Sequence, residues 1–243
     1  MRVLTLLFLL FTSYCYAQRV AVIGDKVQKV DYLANLKQQL KLEWPDNKTI
    51  HIVFHGHSVP AGYFQTPHVN TLAAYPQLFL KFLKEKYPTS VVNTITTAIG
   101  GEQSEQGSKR FQTEVLNINP DLIFIDYALN DRTIGLERAE AAWSAMIEQA
   151  LDKKIKIVLL TPTPDLTEDI LAEDALLQKF TQMILRLGEE YQLPVVDVYT
   201  AFKTLKASGI NLKTYMSQSN HPNELGHQLV LLEIVKTLFN KNE

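Results

Sequence analysis

Apolar and β-branched residues recur along the chain in five short runs, each of the length expected for a buried strand. The predicted strands are Thr49–Phe54, Val91–Ile95, Leu122–Tyr127, Ile155–Leu160 and Val195–Val198. Between and after these runs, apolar residues recur three and four positions apart, which is the spacing of one face of an α-helix. The predicted helices are Pro76–Lys86, Glu105–Leu116, Leu136–Leu151, Leu171–Tyr191 and Glu224–Phe239.

Strands that alternate with helices pair in parallel through right-handed crossovers, and the helices then cover both faces of the sheet. The pattern therefore predicts an α/β protein, a three-layer α/β/α sandwich with a five-stranded, mainly parallel, flavodoxin-like sheet. A chain of 243 residues that is 46% hydrophobic and 21% charged is typical of one ordinary globular domain. In such sheets ligands bind at the carboxyl ends of the strands, so candidate site residues are expected in the loops that follow them.

The first 17 residues have a different pattern. Arg2 supplies a positive charge, residues 3–11 are an apolar run, and residues 15–17 place small residues on either side of a tyrosine. This pattern predicts a cleaved signal peptide, and therefore a periplasmic or secreted protein. Because a membrane-spanning helix needs about 20 apolar residues, no stable membrane insertion is expected after cleavage. A lipid anchor on Cys15 is the alternative, although Tyr14 is bulky where such motifs have a small residue.

The segment from residue 18 to residue 48 is predicted to be an N-terminal extension packed on the main domain, residues 49–243. It begins with a strand-like piece at residues 20–23 and continues as an amphipathic stretch. The apolar residues of that stretch are Val27, Val30, Leu33, Leu36 and Leu40. The formal net charge is −2, so the chain does not have the excess of basic residues that would neutralise a phosphate backbone. Nucleic acid is therefore not an expected partner.

Four polar segments follow the strands or precede the last helix, and each also has a purely structural interpretation. Ser58 lies in the glycine-containing segment 56–62, which could be only a turn. Gly101 lies in segment 98–104, which could be a flexible loop. Asn130 follows the third strand and could cap a helix. His221 precedes the last helix and could be a structural histidine.

In this order, the four segments resemble the SGNH hydrolase superfamily, also known as the GDSL type, over about residues 50–238. The resemblance implies that Ser58 is the nucleophile and His221 its general base. It also implies an oxyanion hole formed by the backbone N–H groups of Ser58 and Gly101 and by the side-chain amide of Asn130. This chemistry needs no metal and no organic cofactor.

Two positions depart from the family pattern. His57 stands where the family has the Asp of Gly-Asp-Ser, and Gln218 stands three residues before His221, where the family has the acid of its triad. We therefore expect another acceptor, such as a main-chain carbonyl, to orient His221. A Ser-His dyad or a loss of activity are the alternatives, and Gln218 is a possible position for the group that orients His221.

Three histidines of the first strand region, His51, His55 and His57, are spaced by four and two residues. In an extended strand they would project to one face, as a zinc ligand set could. No Asp, Glu or Cys accompanies them, so no metal site is predicted. His57 is instead expected to hydrogen-bond within the oxyanion loop, and His227, on the last helix, to be structural.

The resemblance implies that the substrate is a small-molecule or glycan ester, and export favours acetyl or other short acyl groups on a polysaccharide. Tyr63, Phe64 and Tyr127 flank the predicted site and are weak candidates for stacking on sugar rings, because aromatic residues next to strands also belong to cores. Two alternatives stay open: a lipase or lysophospholipase, and a catalytically weak carbohydrate-binding relative.

Overall fold

A parallel five-stranded sheet forms the centre of the fold. The structure is a computed structural model that describes residues 31–239. The strands are β1 (Thr49–Gly56), β2 (Val91–Thr96), β3 (Leu122–Asp126), β4 (Lys156–Leu160) and β5 (Val195–Val196). Their order in the sheet is β2-β1-β3-β4-β5, and each neighbouring pair is parallel. The predicted flavodoxin-like sheet is therefore confirmed.

Helices cover both faces of this sheet. They are α1 (Ala34–Leu40), α2 (Ser58–Ala61), α3 (Tyr75–Lys86), α4 (Ser104–Glu114), α5 (Ala128–Asp131), α6 (Leu136–Asp152), α7 (Leu176–Glu190), α8 (Val198–Ala207) and α9 (Glu224–Leu238). Short 3₁₀ turns lie at Thr71–Ala73, Leu116–Ile118 and Leu212–Tyr215. Together the strands and helices form the three layers that the sequence pattern predicts.

The alternation of side chains along β1 shows how one strand contributes to two cores. Phe54 points to the face covered by α1, α3, α8 and α9, where its ring stacks on Phe124 and meets Phe79 edge-on. Val53 points to the opposite face and belongs to the core formed with α4, α6 and α7, around Trp143. Successive residues of a strand face opposite sides, so the part of β1 that lies between the two cores, residues 52–54, is apolar.

Two predicted boundaries are wrong for local reasons. β5 ends at Val196 rather than at Val198, because the Asp197 side chain accepts the Thr200 N–H and begins α8, a helix that the pattern did not predict. Helix α7 begins at Leu176 rather than at Leu171. Before it the chain forms turns, in which the Asp169 carboxylate accepts the Leu171 N–H.

The predicted signal peptide, the Cys15 alternative, the strand-like piece at residues 20–23, and Val27 and Val30 of the amphipathic stretch lie outside the described residues. Within the described part of the extension, Leu33, Leu36 and Leu40 are buried in the core beside α3 and α9. No helix among residues 31–239 is long and apolar enough to cross a membrane.

Candidate active site

Ser58 and His221 meet at the carboxyl edge of the sheet, although they are 163 residues apart in sequence. Ser58 is the first residue of α2, which begins two residues after β1 ends. His221 lies just before α9, whose first turn is capped by the Asn223 side chain. The Ser58 hydroxyl Oγ lies 2.9 Å from His221 Nε2, and each residue is 5% exposed. A nearly buried hydroxyl is thus hydrogen-bonded to an imidazole, the geometry that general-base activation requires.

A main-chain carbonyl contacts the other nitrogen of this imidazole. His221 Nδ1 lies 3.2 Å from the carbonyl oxygen of Phe64, to which the Ser217 hydroxyl also donates at 2.8 Å. A carbonyl can only accept, so Nδ1 carries the proton and Nε2 presents its lone pair to Ser58. The expected carbonyl acceptor is therefore present in the geometry, and it belongs to Phe64.

The side-chain amide of Gln218 is hydrogen-bonded to groups other than the His221 imidazole. Its Oε1 accepts the Thr66 N–H at 3.0 Å, and its Nε2 donates to Asn220 at 2.9 Å. Both ends of the amide are therefore engaged away from the imidazole. The first of these bonds ties Gln218 to the loop that carries Phe64, so its effect on the histidine passes through that loop.

The surroundings of His221 lower its pKa below the ordinary value of a histidine. Burial is the largest cause, since it penalises the charged ring, and His57 acts in the same direction. The hydrogen bond to Phe64 and, through space, the Asp165 carboxylate raise the pKa and only partly offset burial. The imidazole is therefore neutral at pH 7 and able to accept a proton.

The loop after β2 lies against α5, which follows β3. Gly101 is exposed and has a φ of +79°, a left-handed conformation that favours glycine. The Asn130 side-chain amide donates at 3.0 Å to the backbone carbonyl of Glu102, the residue that follows Gly101. The Asp131 carboxylate accepts the Ser104 N–H at 2.7 Å. The amide and the carboxylate at the end of α5 therefore fix the Gly101 loop, and Asn130 does not act as the helix cap.

Tyr127 is part of a buried polar cluster and does not reach the surface. Its side chain is 0% exposed, and its hydroxyl donates to the Glu102 carboxylate at 2.7 Å and lies 3.1 Å from His55 Nε2. Arg110 completes the cluster through an ion pair with Glu102. Burial and the Glu102 hydrogen bond raise the pKa of Tyr127. The prediction that Tyr127 stacks on a sugar ring is wrong, because the ring is enclosed.

Tyr63 and Phe64 are half-buried and lie beside the serine and the histidine. The ring centroids of Tyr63 and His221 are 5.8 Å apart. A Cβ atom at Gly100 would lie 2.8 Å from the Tyr63 ring, so that glycine makes room for the tyrosine. Tyr63 thus borders both the imidazole and the loop that carries Gly101.

The histidines of the first strand region are engaged separately. His51 Nδ1 lies 3.3 Å from the Ile118 carbonyl, His55 belongs to the Tyr127 cluster, and His57 accepts the Val59 N–H at 3.3 Å. Within residues 31–239, no group of three His, Cys, Asp or Glu side chains is placed to hold a metal ion. His227 is buried, which lowers its pKa to about 4, and it accepts the N–H of Tyr75.

Sequence reasoning missed several groups that shape this site: the Phe64 carbonyl, Ser217, Glu102 with Arg110, and Asp126. A carbonyl acceptor has no residue-type signature, so no sequence signal could identify Phe64. Glu102, which directly follows Gly101, was the one group that the sequence could have indicated. A carboxylate in a loop of otherwise small and polar residues needs a basic or hydrogen-bonding partner if it is buried.

A serine hydrogen-bonded to a histidine at the carboxyl edge of a parallel sheet is the arrangement that nucleophilic catalysis by a serine requires. The model of the GDSL-like lipase/acylhydrolase family matches residues 54–229. No curated protein sequence matches the chain.

Solved structures share the fold at low sequence identity. A two-domain esterase active on acetylated mannans is 20% identical, with a TM-score of 0.70 over 86% of this chain and 52% of its own; the chain therefore spans about half its length. That esterase co-crystallised with mannopentaose gives 21% identity and a TM-score of 0.72, over 87% of this chain and 54% of its own. An acetylxylan esterase from Geobacillus stearothermophilus is 18% identical, with a TM-score of 0.66, covering 79% of this chain and 95% of its own.

The chain belongs to the GDSL-like lipase/acylhydrolase family, because the family model covers well over half of it. The predicted resemblance to SGNH hydrolases is therefore confirmed.

Proposed function

We propose that the protein is an exported serine esterase that removes acetyl or other short acyl groups from carbohydrates. The observation that carries this proposal is the 2.9 Å hydrogen bond between Ser58 Oγ and His221 Nε2 at the carboxyl edge of the sheet. The signal-peptide pattern of residues 1–17 supports export, to the periplasm or the medium.

In the proposed reaction, His221 Nε2 takes the proton of the Ser58 hydroxyl while Oγ attacks the ester carbonyl carbon. The imidazolium then protonates the leaving alcohol oxygen, the ester C–O bond breaks, and the acyl group stays on Ser58. A water molecule next gives a proton to His221 and attacks the acyl carbon. Release of the carboxylic acid, with the proton returned to Ser58 Oγ, regenerates the site.

The Phe64 carbonyl takes part of the role that a carboxylate has in a Ser-His-Asp triad. It accepts the Nδ1 proton of His221 at 3.2 Å, which keeps the reactive lone pair on Nε2. Being neutral, it stabilises the imidazolium less than a carboxylate would. The Asp165 carboxylate adds a favourable charge through space.

The negative charge that develops on the ester oxygen needs preorganised donors. Ser58 opens a helix, so its backbone N–H has no acceptor within that helix. The exposed turn of Gly101 offers a second backbone N–H. The amide of Asn130 has two N–H groups, of which the contact with Glu102 uses one. We assign these three groups to the oxyanion hole.

Carbohydrate as the acyl carrier is supported by two observations. The solved structures with this fold include esterases named for acetylated mannans and for acetylxylan. Tyr63 borders His221 and is only half-buried, so an aromatic surface lies beside the reacting groups, and Phe64 is the neighbouring candidate.

The test is hydrolysis by purified residues 18–243, compared with Ser58→Ala. The proposal expects turnover of p-nitrophenyl acetate that falls steadily toward long-chain esters, and release of acetate from acetylated mannan or xylan. A preference for long acyl chains would support the lipase alternative. Binding of glycan without turnover would support the carbohydrate-binding alternative, and equal rates in the Ser58→Ala variant would end the serine-esterase proposal.

A further inference from the structure

A buried polar chain lies directly behind the nucleophile. The Tyr75 hydroxyl donates to Asp126 Oδ2 at 2.9 Å, and the other carboxylate oxygen, Oδ1, lies 3.4 Å from His57 Nε2. His57 Nδ1 accepts the Val59 N–H at 3.3 Å and lies 3.5 Å from Ser58 Oγ. Each of these side chains apart from that of Val59 is polar, and none is more than 5% exposed.

The register of two strands produces this arrangement. Gly56 at the end of β1 pairs with Asp126 at the end of β3, so the next residue, His57, is placed beside that carboxylate. A Cβ atom at Gly56 would lie 2.4 Å from the Asp126 carbonyl oxygen. Only glycine allows the two strand ends to approach this closely, which brings the imidazole within reach of the acid.

The contacts of His57 define its tautomer. A neutral imidazole has one N–H donor and one acceptor nitrogen. Because Nδ1 accepts the Val59 N–H, the proton is on Nε2, the nitrogen that faces Asp126. At 3.4 Å this contact is electrostatic rather than a short hydrogen bond, yet a carboxylate there favours a proton on Nε2. If the proton were on Nδ1 instead, the Nδ1–H of His57 and the backbone N–H of Val59 would be two donors pointing at each other, with no acceptor between them.

We propose that Asp126 and His57 are a positioning pair for Ser58: the acid holds the His57 proton on Nε2, and Nδ1 thereby fixes the turn that carries the nucleophile. Asp126 therefore acts on the turn that carries Ser58 and not on the general base. The Nδ1 atom of that base, His221, contacts a carbonyl instead. This inference rests on the proposed function, since it assigns two positioning residues to the same reaction.

The first arm of the test replaces the imidazole. His57→Ala removes the acceptor for the Val59 N–H, and we expect kcat to fall by about 10²-fold, the loss that a displacement of about 1 Å can cause. KM should change less than about threefold, because the loss lies in the positioning of Ser58. His57→Asn restores a side-chain acceptor of the type preferred at the position before a helix. Its kcat should therefore be at least about tenfold higher than that of His57→Ala.

A matched control uses the other buried histidine that accepts a backbone N–H, His227, which contacts Tyr75. His227→Ala should lower thermal stability to a degree similar to His57→Ala and change kcat less than about threefold. Circular dichroism melts of each variant exclude unfolding as the cause of a lower kcat.

The second arm tests whether Asp126 acts through His57. Asp126→Asn keeps the shape but holds the Nε2 proton less strongly, so we expect kcat to fall at least about tenfold in the wild-type background. In the His57→Asn background the same change should cost less than about threefold, since no imidazole tautomer is left to control.

The outcomes separate this inference from the proposed function. Wild-type kcat in His57→Ala, failure of His57→Asn to recover activity, or an equal cost of Asp126→Asn in both backgrounds would overturn the positioning pair. Each of those results leaves the serine esterase intact as long as Ser58→Ala is inactive. Full activity in Ser58→Ala would instead overturn the proposed function.

Discussion

The carbonyl oxygen of Phe64 lies 3.2 Å from Nδ1 of His221, at the nitrogen where a triad carboxylate would hold the imidazole. Phe64 is 157 residues from His221 in sequence. The loop that carries it is tied to the loop of His221 by the Ser217 hydroxyl and by the Gln218 amide. Gln218 stands where the family has the acid of its triad, and a main-chain carbonyl contacts His221 in place of that acid.

Removing the Gln218 side chain tests this relationship. Gln218→Ala deletes a bond to the Thr66 N–H but leaves the Phe64 carbonyl in contact with His221, so we expect kcat to fall less than about tenfold. Steady-state kinetics on one chromogenic ester measures it. A loss of about 10³-fold in the folded variant would show that the amide itself orients the imidazole.

The pH dependence of kcat/KM reports the ionisation of the general base in the free enzyme. His221 must be neutral to accept the Ser58 proton, and burial lowers its pKa. A base with a lowered pKa stays neutral to lower pH, so the acidic limb should lie below the ordinary histidine value of about 6.5. A limb centred above pH 7 would mean that a different group titrates, or that the imidazole is paired with an acid.

Asn130→Ala tests the oxyanion hole. Loss of one donor to the developing charge typically lowers kcat by about 10²–10³-fold with little change in KM. The same change also removes the bond to the Glu102 carbonyl, so a thermal melt must accompany the kinetics. A change confined to KM would make Asn130 a substrate-binding residue instead.

Tyr127→Phe tests whether the buried hydroxyl of Tyr127 has a structural role. The phenol is enclosed and donates to Glu102, so its loss leaves buried polar groups with fewer partners. We expect the free energy of unfolding to fall by about 1–3 kcal/mol, with KM for a glycan ester unchanged. Denaturant melts and kinetics on acetylated xylan provide both values. A raised KM at wild-type stability would instead show that this hydroxyl acts on the substrate.

The sheet could be predicted because parallel strands buried on both faces contain continuous apolar runs, as in residues 122–125 of β3. Helices α2 and α5 could not be predicted, since four residues are too few to show a helical period. These two short helices carry Ser58 and Asn130. The residue types of the site were therefore visible in the sequence, while the local structure that presents them was not.

The contacts around the site depend on features that residue identity does not carry. The contact of Phe64 with His221 is made by a main-chain atom, which every residue possesses. The contact between His57 and Asp126 depends on the register of β1 against β3. The Tyr127 hydroxyl is enclosed by contacts with Glu102 and Arg110, which are distant in sequence. The position of Tyr127 at the end of a strand therefore did not indicate that its ring is buried.

Covalent labelling shows directly whether Ser58 is the activated nucleophile. Residues 18–243 are incubated with a fluorophosphonate, which reacts with activated serines, and intact mass and peptide mapping locate the adduct. We expect one adduct, on Ser58, formed in step with loss of esterase activity. We also expect no adduct in Ser58→Ala and much slower labelling in His221→Ala, because the hydroxyl then lacks its base. Labelling of another serine, or an active enzyme that carries the Ser58 adduct, would show that Ser58 is not the nucleophile.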